Sequence, residues 1–347
     1  MSAKLSNPGY SRPVESRGTV NGMNDPLANT TPQDVSFHSV TIVGSGLMGR
    51  GIGIEYALGG ASVVLVASTP DSTIRAVERT HLELSELAHA GAVSEDDARA
   101  AAARLRGDPT LESAAQHAEL VVESVPEVLE TKQALFERLG EITRPETVLA
   151  TNTSSLGIAS IAVRTRHPER VLGTHYWNPP HLMPLVEVVP GKQTDPAVVE
   201  RVEAALRMLG KRTVRVRREV PGFIWNRLQM ALLRESLWLV EQGVATPEDI
   251  DLSVRLGLGR RYSGIGLFEA VDLGGLATWH GVAGRLFGQL STDTAPGPFL
   301  SELAASGRRG TDTGGGVYEW PADRAAEVKA RRDGQLIEWL LRDRTEK

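Results

Sequence analysis

"SVTIVGSGLMGRGIGIEYALGG", residues 39–60, decides the fold. A short apolar run, Val40 to Val43, reads as a buried strand. Glycines at 44, 46 and 49 then form G-x-G-x-x-G, and a helical run follows. The spacing has a physical reason. The first glycine permits a tight turn, the second lets backbone approach a pyrophosphate, and the third lets helix and strand pack closely. The helix start adds unpaired N–H groups and the positive end of a dipole. Gly44, Gly46, Leu47, Met48 and Gly49 are therefore candidate dinucleotide-binding residues.

Downstream, the pattern repeats. Residues 61–68 and 119–124 read as strands, and polar helical stretches fill 72–90 and 94–105. A helix ends near Glu141, "TVLATNTS", "RVLGTH" and "LVEVV" add strands, and a helix from Pro196 to Leu209 precedes a last strand, "RTVRVRR". Strands alternating with helices predict a parallel sheet with βαβ crossovers. After "EVPGFIWNRL" strand-like runs stop. An apolar-periodic helix runs from Phe223 to Gln242, and Thr246 caps another with Pro247 and Glu248 in its first turn. The predicted class is α/β: a Rossmann-type doubly wound parallel sheet followed by an all-helical C-terminal domain. The predicted divisions are a disordered extension over 1–35, a dinucleotide-binding domain over 36–219, and a helical dimerisation and substrate domain over 220–347.

Composition bounds the function. With 41% hydrophobic and 23% charged residues, the 347-residue chain is an ordinary globular protein. A net charge of −5 with interspersed signs gives no nucleic-acid footprint. No cysteine is present, which excludes disulfides, a thiol nucleophile and Cys-based metal sites. The eight histidines lack HExxH or paired spacing, so no metal is expected. No run approaches the roughly 20 apolar residues of a membrane span. Residues 1–35 lack the apolar core of a secretory signal. A cytoplasmic location follows by default.

The cofactor's second half meets an unusual strand end. An acid that binds the adenosine ribose is expected about 20 residues past the glycines. Ala67 stands there, followed by Ser68 and Thr69. Both hydroxyls are candidate donors to a 2′-phosphate, with Arg75 one helical turn on. NAD or NADP is thus the expected cofactor, with NADP use made plausible by Ala67.

"GTHYWNPPHLMPLVEVV", residues 173–189, supplies the chemistry. Glu187 is a lone carboxylate in an apolar strand, which is costly without a partner. The expected partner is His175. A carboxylate on one imidazole nitrogen fixes the tautomer and raises basicity at the other. That suits a base which takes a hydroxyl proton during hydride transfer. Asn152 and Ser154 in "ATNTSSL" sit where ligands bind in open α/β sheets, at the carboxyl ends of strands. Ser154 and Asn226 are candidate donors to the reacting oxygen, and Asn178 is on the same rim. Trp177 and Trp225 border these positions. Core packing is the favoured reading for them, an aromatic pocket the alternative.

"VGSGLMGRGI", "NTSSL", "GTHYWNPPHLMPLVEVV", "VPGFIWNRLQ" and "GLFEAVDLGGL" together resemble the L-3-hydroxyacyl-CoA dehydrogenase family from about Ser39 to Trp320. The resemblance implies a helical C-terminal domain that forms a homodimer. It implies His175 as catalytic base with Glu187 as partner, Ser154 and Asn226 at the reacting oxygen, and Glu127 and Lys132 at the cofactor region. A structural role for Glu127 stays open. "AHAGAVSEDDARAAAARLRGD" is acidic and Ala-rich where acyl-CoA enzymes carry a lysine-rich helical tail. "GLGRRYSGIGLFEAVD" is closer to the branch of L-gulonate 3-dehydrogenase (lambda-crystallin) and L-carnitine dehydrogenase, which act on free hydroxy acids. Arg260 or Arg261 would then clamp a carboxylate, unless both are surface cations. "GTDTGGGVYEW" again resembles the acyl-CoA enzymes. The expected function is NAD(P)-dependent hydride transfer with a 3-hydroxy/3-keto acyl compound, as CoA thioester or free acid. The alternatives are a reductase of another cyclic or aromatic carbonyl in specialised metabolism, and a non-catalytic dinucleotide-binding protein.

Overall fold

The computed structural model describes residues 37–345, so the extension predicted over 1–35 lies outside the described residues. The first half alternates as its sequence predicts. β1 (Ser39–Val43) leads into α1 (Leu47–Leu58), then β2 (Ser62–Val66), α2 (Pro70–His89) and α3 (Glu95–Arg104). β3 (Leu105–Gly107) and α4 (Leu111–Ala115) follow, then β4 (Leu120–Glu123), α5 (Leu129–Ile142), β5 (Val148–Thr151) and α6 (Ile158–Ile161). β6 (Val171–Tyr176), β7 (Leu185–Pro190), α7 (Pro196–Met208) and β8 (Arg212–Arg215) complete the sheet.

Strand side chains alternate between faces, and here both faces are covered, which is why the strands read as unbroken apolar runs. Val40, Ile42, Val63, Leu65, Leu120 and Val122 enter one buried layer with α1, α2, α3 and α7. Val43, Val121, Leu149 and Val189 enter the other, with Phe136 and Leu139 of α5. The strand order is β3-β2-β1-β4-β5-β6-β7-β8. β1 pairs with both β2 and β4, so winding reverses between β1 and β4 and opens a ligand crevice at their carboxyl ends.

Two features depart from expectation. β6 and β7 are antiparallel, not parallel. Residues 177–184 between them are shorter than the roughly dozen residues a parallel crossover needs. The edge strand β3 was not legible, because its three residues, LRG, carry no alternation.

α8 (Trp225–Glu241), α9 (Pro247–Ser253), α10 (Gly259–Tyr262), α11 (Leu267–Gly274), α12 (Leu276–Leu286) and α13 (Pro298–Ala305) form the helical region. The Thr246 hydroxyl accepts from the Asp249 N–H, the cap that its sequence predicts. α8 has no buried residue, and Leu228, Phe268, Leu273 and Phe287 are each more than half exposed. α14 (Ala322–Thr345) returns to the first domain. Its Leu336, Ile337 and Leu340 pack on the sheet's first buried layer, and Arg344 Nη1 donates to the Ala92 carbonyl.

Candidate active site

The antiparallel register sets His175 of β6 directly opposite Glu187 of β7. His175 Nδ1 lies 2.7 Å from Glu187 Oε2, with both side chains buried. The other carboxylate oxygen accepts the Ile224 and Trp225 N–H groups at 2.9 and 3.1 Å, where α8 begins. One carboxylate therefore fixes the imidazole and anchors the first helix of the second domain. Burial pushes the Glu187 pKa up, but its bonds to His175, Ile224 and Trp225 outweigh this and hold it below the usual glutamate range.

The turn before α8 makes this possible. Gly222 and Phe223 both have positive φ, +77° and +49°. Phe223 is the one non-glycine with positive φ among the described residues. Such a conformation costs about 1–3 kcal/mol and persists where surrounding structure over-determines it. Here Phe223 is buried, and its ring packs edge-on against His175, with centroids 5.6 Å apart.

The strand-end loops build the rest. Asn152 Oδ1 accepts the Tyr176 N–H, and Asn226 Nδ2 donates to the Ser154 carbonyl. Glu127 Oε1 accepts from the Thr153 hydroxyl and from the Ser154 and Ser155 N–H groups, at 2.6 to 3.0 Å. Burial raises the Glu127 pKa, but the Thr153 hydroxyl, the Lys132 charge and these N–H groups bring it below its ordinary value. Lys132 is buried, with Nζ 2.5 Å from Glu123 and 3.3 Å from Glu127. It thus stands behind the rim and positions Glu127. A cavity of about 360 Å³ brings together Met48, Asn152, Ser154, His175, Asn178 and Asn226. Trp177 and Trp225 line the same cavity, so they are not core packing as favoured from sequence. They stack with centroids 4.1 Å apart and an interplanar angle of 22°.

The glycine turn fits a dinucleotide. Gly44 has φ +96°, and a Cβ there would lie 2.5 Å from the Ser124 carbonyl. Space beside Gly46 is open, and no side chain caps the N-terminus of α1. The helix start is thus bare and approachable, with Leu47 exposed. At the ribose end Ala67 offers no carboxylate. Ser68 is exposed, but Thr69 is the N-cap of α2, its hydroxyl already accepting the Ser72 N–H. Arg75 is exposed on α2.

Arg260 and Arg261 are exposed on α10 and line neither the His175 cavity nor the larger trough beside it. Of the two readings left open for them, a carboxylate clamp or surface cations, the clamp is not assembled within this chain. Sequence reasoning missed Phe223, Glu123, Met183 and Gln229. Glu123 had a readable signal, a carboxylate closing an apolar strand as Glu187 does; the others had none. Among the described residues no cluster of three His, Asp or Glu side chains is suited to a metal, and no helix is long and apolar enough to cross a membrane.

Comparison with known proteins bears on the family and the fold. The NAD binding domain of 3-hydroxyacyl-CoA dehydrogenase matches residues 39–220, and the C-terminal domain of the same family matches 222–320. The chain is 32% identical to a 5-formyl-3-hydroxy-2-methylpyridine 4-carboxylate 5-dehydrogenase of Mesorhizobium japonicum, over 87% of this chain and 96% of that one. A crystal structure of an enzyme with that activity, described as an NAD+ dependent dismutase, superposes with a TM-score of 0.81 at 30% identity, covering 87% of this chain and 96% of the other. The (S)-3-hydroxybutyryl-CoA dehydrogenase of Ralstonia eutropha gives a TM-score of 0.68 at 31% identity, covering 82% and 100%.

Proposed function

The chain belongs to the 3-hydroxyacyl-CoA dehydrogenase family, NAD-dependent enzymes that act on CH–OH groups, and we propose that His175 is its catalytic base, held by Glu187. The observation that carries this reading is the 2.7 Å contact between a buried carboxylate and Nδ1 of His175, whose side chain lines a cavity shared with Ser154 and Asn226. Nδ1–H donates to Glu187, so Nε2 keeps its lone pair and takes the proton of a substrate hydroxyl. The Ser154 hydroxyl and the Asn226 amide, the latter held by its bond to the Ser154 carbonyl, hold the oxygen as it becomes a carbonyl. A bound nicotinamide accepts or supplies the hydride. Gly44, Gly46, Leu47, Met48 and Gly49 receive the pyrophosphate, and Asn152 and Glu127 border the nicotinamide end, with Lys132 behind.

The substrate is a hydroxy or keto acid compound. Relatives named for a pyridine carboxylate and for an acyl-CoA leave two sizes of substrate in play. For the cofactor, Ala67 removes the group that repels a 2′-phosphate, so NADP is accepted beside NAD. Because Thr69 is committed to its helix, the reading is lost discrimination and not a dedicated phosphate site. A homodimer accounts for exposed apolar residues such as Leu228, Phe268, Leu273 and Phe287.

The test is His175→Ala. The expected result is unchanged NADH affinity and folded structure with kcat lowered by about 10²–10⁴-fold. A near-wild-type kcat would overturn the assignment.

A further inference from the structure

We propose that the stacked Trp177–Trp225 pair is the specificity wall of this site, selecting a substrate whose carbinol or carbonyl is carried on or beside a planar ring over a straight-chain one. The inference rests on the dehydrogenase reading above and names the substrate class of that same cavity.

The wall is held by the catalytic pair itself. Trp177 follows His175 by two residues at the end of β6, and the Trp225 N–H is bonded to Glu187 Oε1. Those connections fix the backbone at both positions beside the dyad, and the rings are held by their stack against each other. Their near-parallel stack presents a flat aromatic surface, where separate side chains would present an adaptable one. Trp225 remains 37% exposed, so it faces open space and does not fill a core. Aromatic rings prefer offset-stacked or edge-on partners, and a planar ligand completes such an arrangement where a flexible chain does not.

The other lining groups suit the same ligand. Asn152, Ser154, Asn178, Asn226 and Gln229 are neutral donors and acceptors, and no lysine or arginine lines this cavity. A volume of about 360 Å³ is at the small end of ligand sites. A flat wall ringed by neutral hydrogen-bonding groups matches a substituted ring. Two cations, Arg227 and Arg234, line the adjoining trough, which shares Ser154 and Asn226 with the cavity. An acidic substituent on the ring would point that way.

The experiment measures binding first. Full-length protein with NAD+ is titrated calorimetrically with trans-cinnamate, a ring-bearing dead-end ligand, and with crotonate, its straight-chain counterpart. Cinnamate should bind at least about tenfold more tightly. Trp225→Leu should remove that preference, Trp225→Phe should keep part of it, and neither should change NADH affinity by more than about twofold. In turnover, Trp225→Leu should raise KM for 3-hydroxy-3-phenylpropanoate by a larger factor than KM for 3-hydroxybutyrate. Equal cinnamate and crotonate affinities in the wild type overturn the proposal. So does a Trp225→Leu variant that loses NADH as strongly as cinnamate, which would assign the wall to the nicotinamide. Cinnamate preference without turnover of either hydroxy acid supports the wall and counts against the dehydrogenase reading, so the two fail separately.

Discussion

Replacing Glu187 by glutamine separates the two tasks of that carboxylate. The amide has two orientations. With its NH2 group toward α8, it would face the N–H donors of Ile224 and Trp225 and forfeit two bonds to a charged acceptor, each worth about 1.5–3 kcal/mol. With its oxygen toward α8 both bonds survive, and the NH2 group faces His175 Nδ1. The second arrangement wins. It costs only a change of imidazole tautomer: Nδ1 becomes the acceptor and the proton moves to Nε2, the nitrogen that must receive the substrate proton. Kcat should then fall about 10²-fold, at the lower end for acid–base assistance because the productive tautomer stays accessible. The fold should persist. The pH dependence adds a second readout. The folded-state pKa of Glu187 is depressed, so its stabilisation is complete above the unfolded value of about 4.3 and is lost as pH falls through the lower folded value. That acid-side loss should vanish in Glu187→Gln. The assays are steady-state kinetics, 15N chemical shifts of His175 and thermal melts against pH. Kcat within threefold of wild type, or an unchanged tautomer, would refute the reasoning.

Two further outcomes follow. NADPH should bind at least as well as NADH in fluorescence titrations, and Ala67→Asp should shift the ratio toward NADH by at least about tenfold, or 1.4 kcal/mol; wild-type NADH binding more than tenfold tighter would mean that another group selects the cofactor. Light scattering at micromolar concentration should give a dimer, with an interface on the order of 1,200–2,000 Å² or more, and a monomer would leave α8 without an explanation for its uncovered apolar side chains.

The cofactor half of the fold was legible because its signals are local. Gly44, Gly46 and Gly49 each do a backbone task that no other residue does at that place. The His175–Glu187 pair was legible for a different reason: a carboxylate among valines has to be paired, and the nearest suitable partner was in the same short segment. What resisted reading depends on contacts across the chain. Phe223 is an ordinary apolar residue until its φ and its packing on His175 are seen. Lys132 lies in a polar helical stretch, and only the fold puts it under Glu123 and Glu127. Trp177 and Trp225 are 48 positions apart, and a large aromatic residue in sequence reads first as core. The antiparallel β6–β7 pair was implicit in the short proline-rich link, whose length excludes a crossover.

The return of α14 has a mechanical consequence. A second domain joined only at residues 216–224 would swing as a cantilever, with direction and amplitude set by one turn. Here the chain is fastened again at the far end, where Leu336, Ile337 and Leu340 seat on the sheet's own hydrophobic layer. Two fixed points define an axis. While α14 stays seated, any opening of the cavity is a rotation about the line joining them, one degree of freedom in place of several. Trp225 and Asn226 lie next to the first of those points, so they travel least of all the helical region. The residues proposed to meet the substrate thus lie close to that axis, and any wide excursion would fall to α9 through α13.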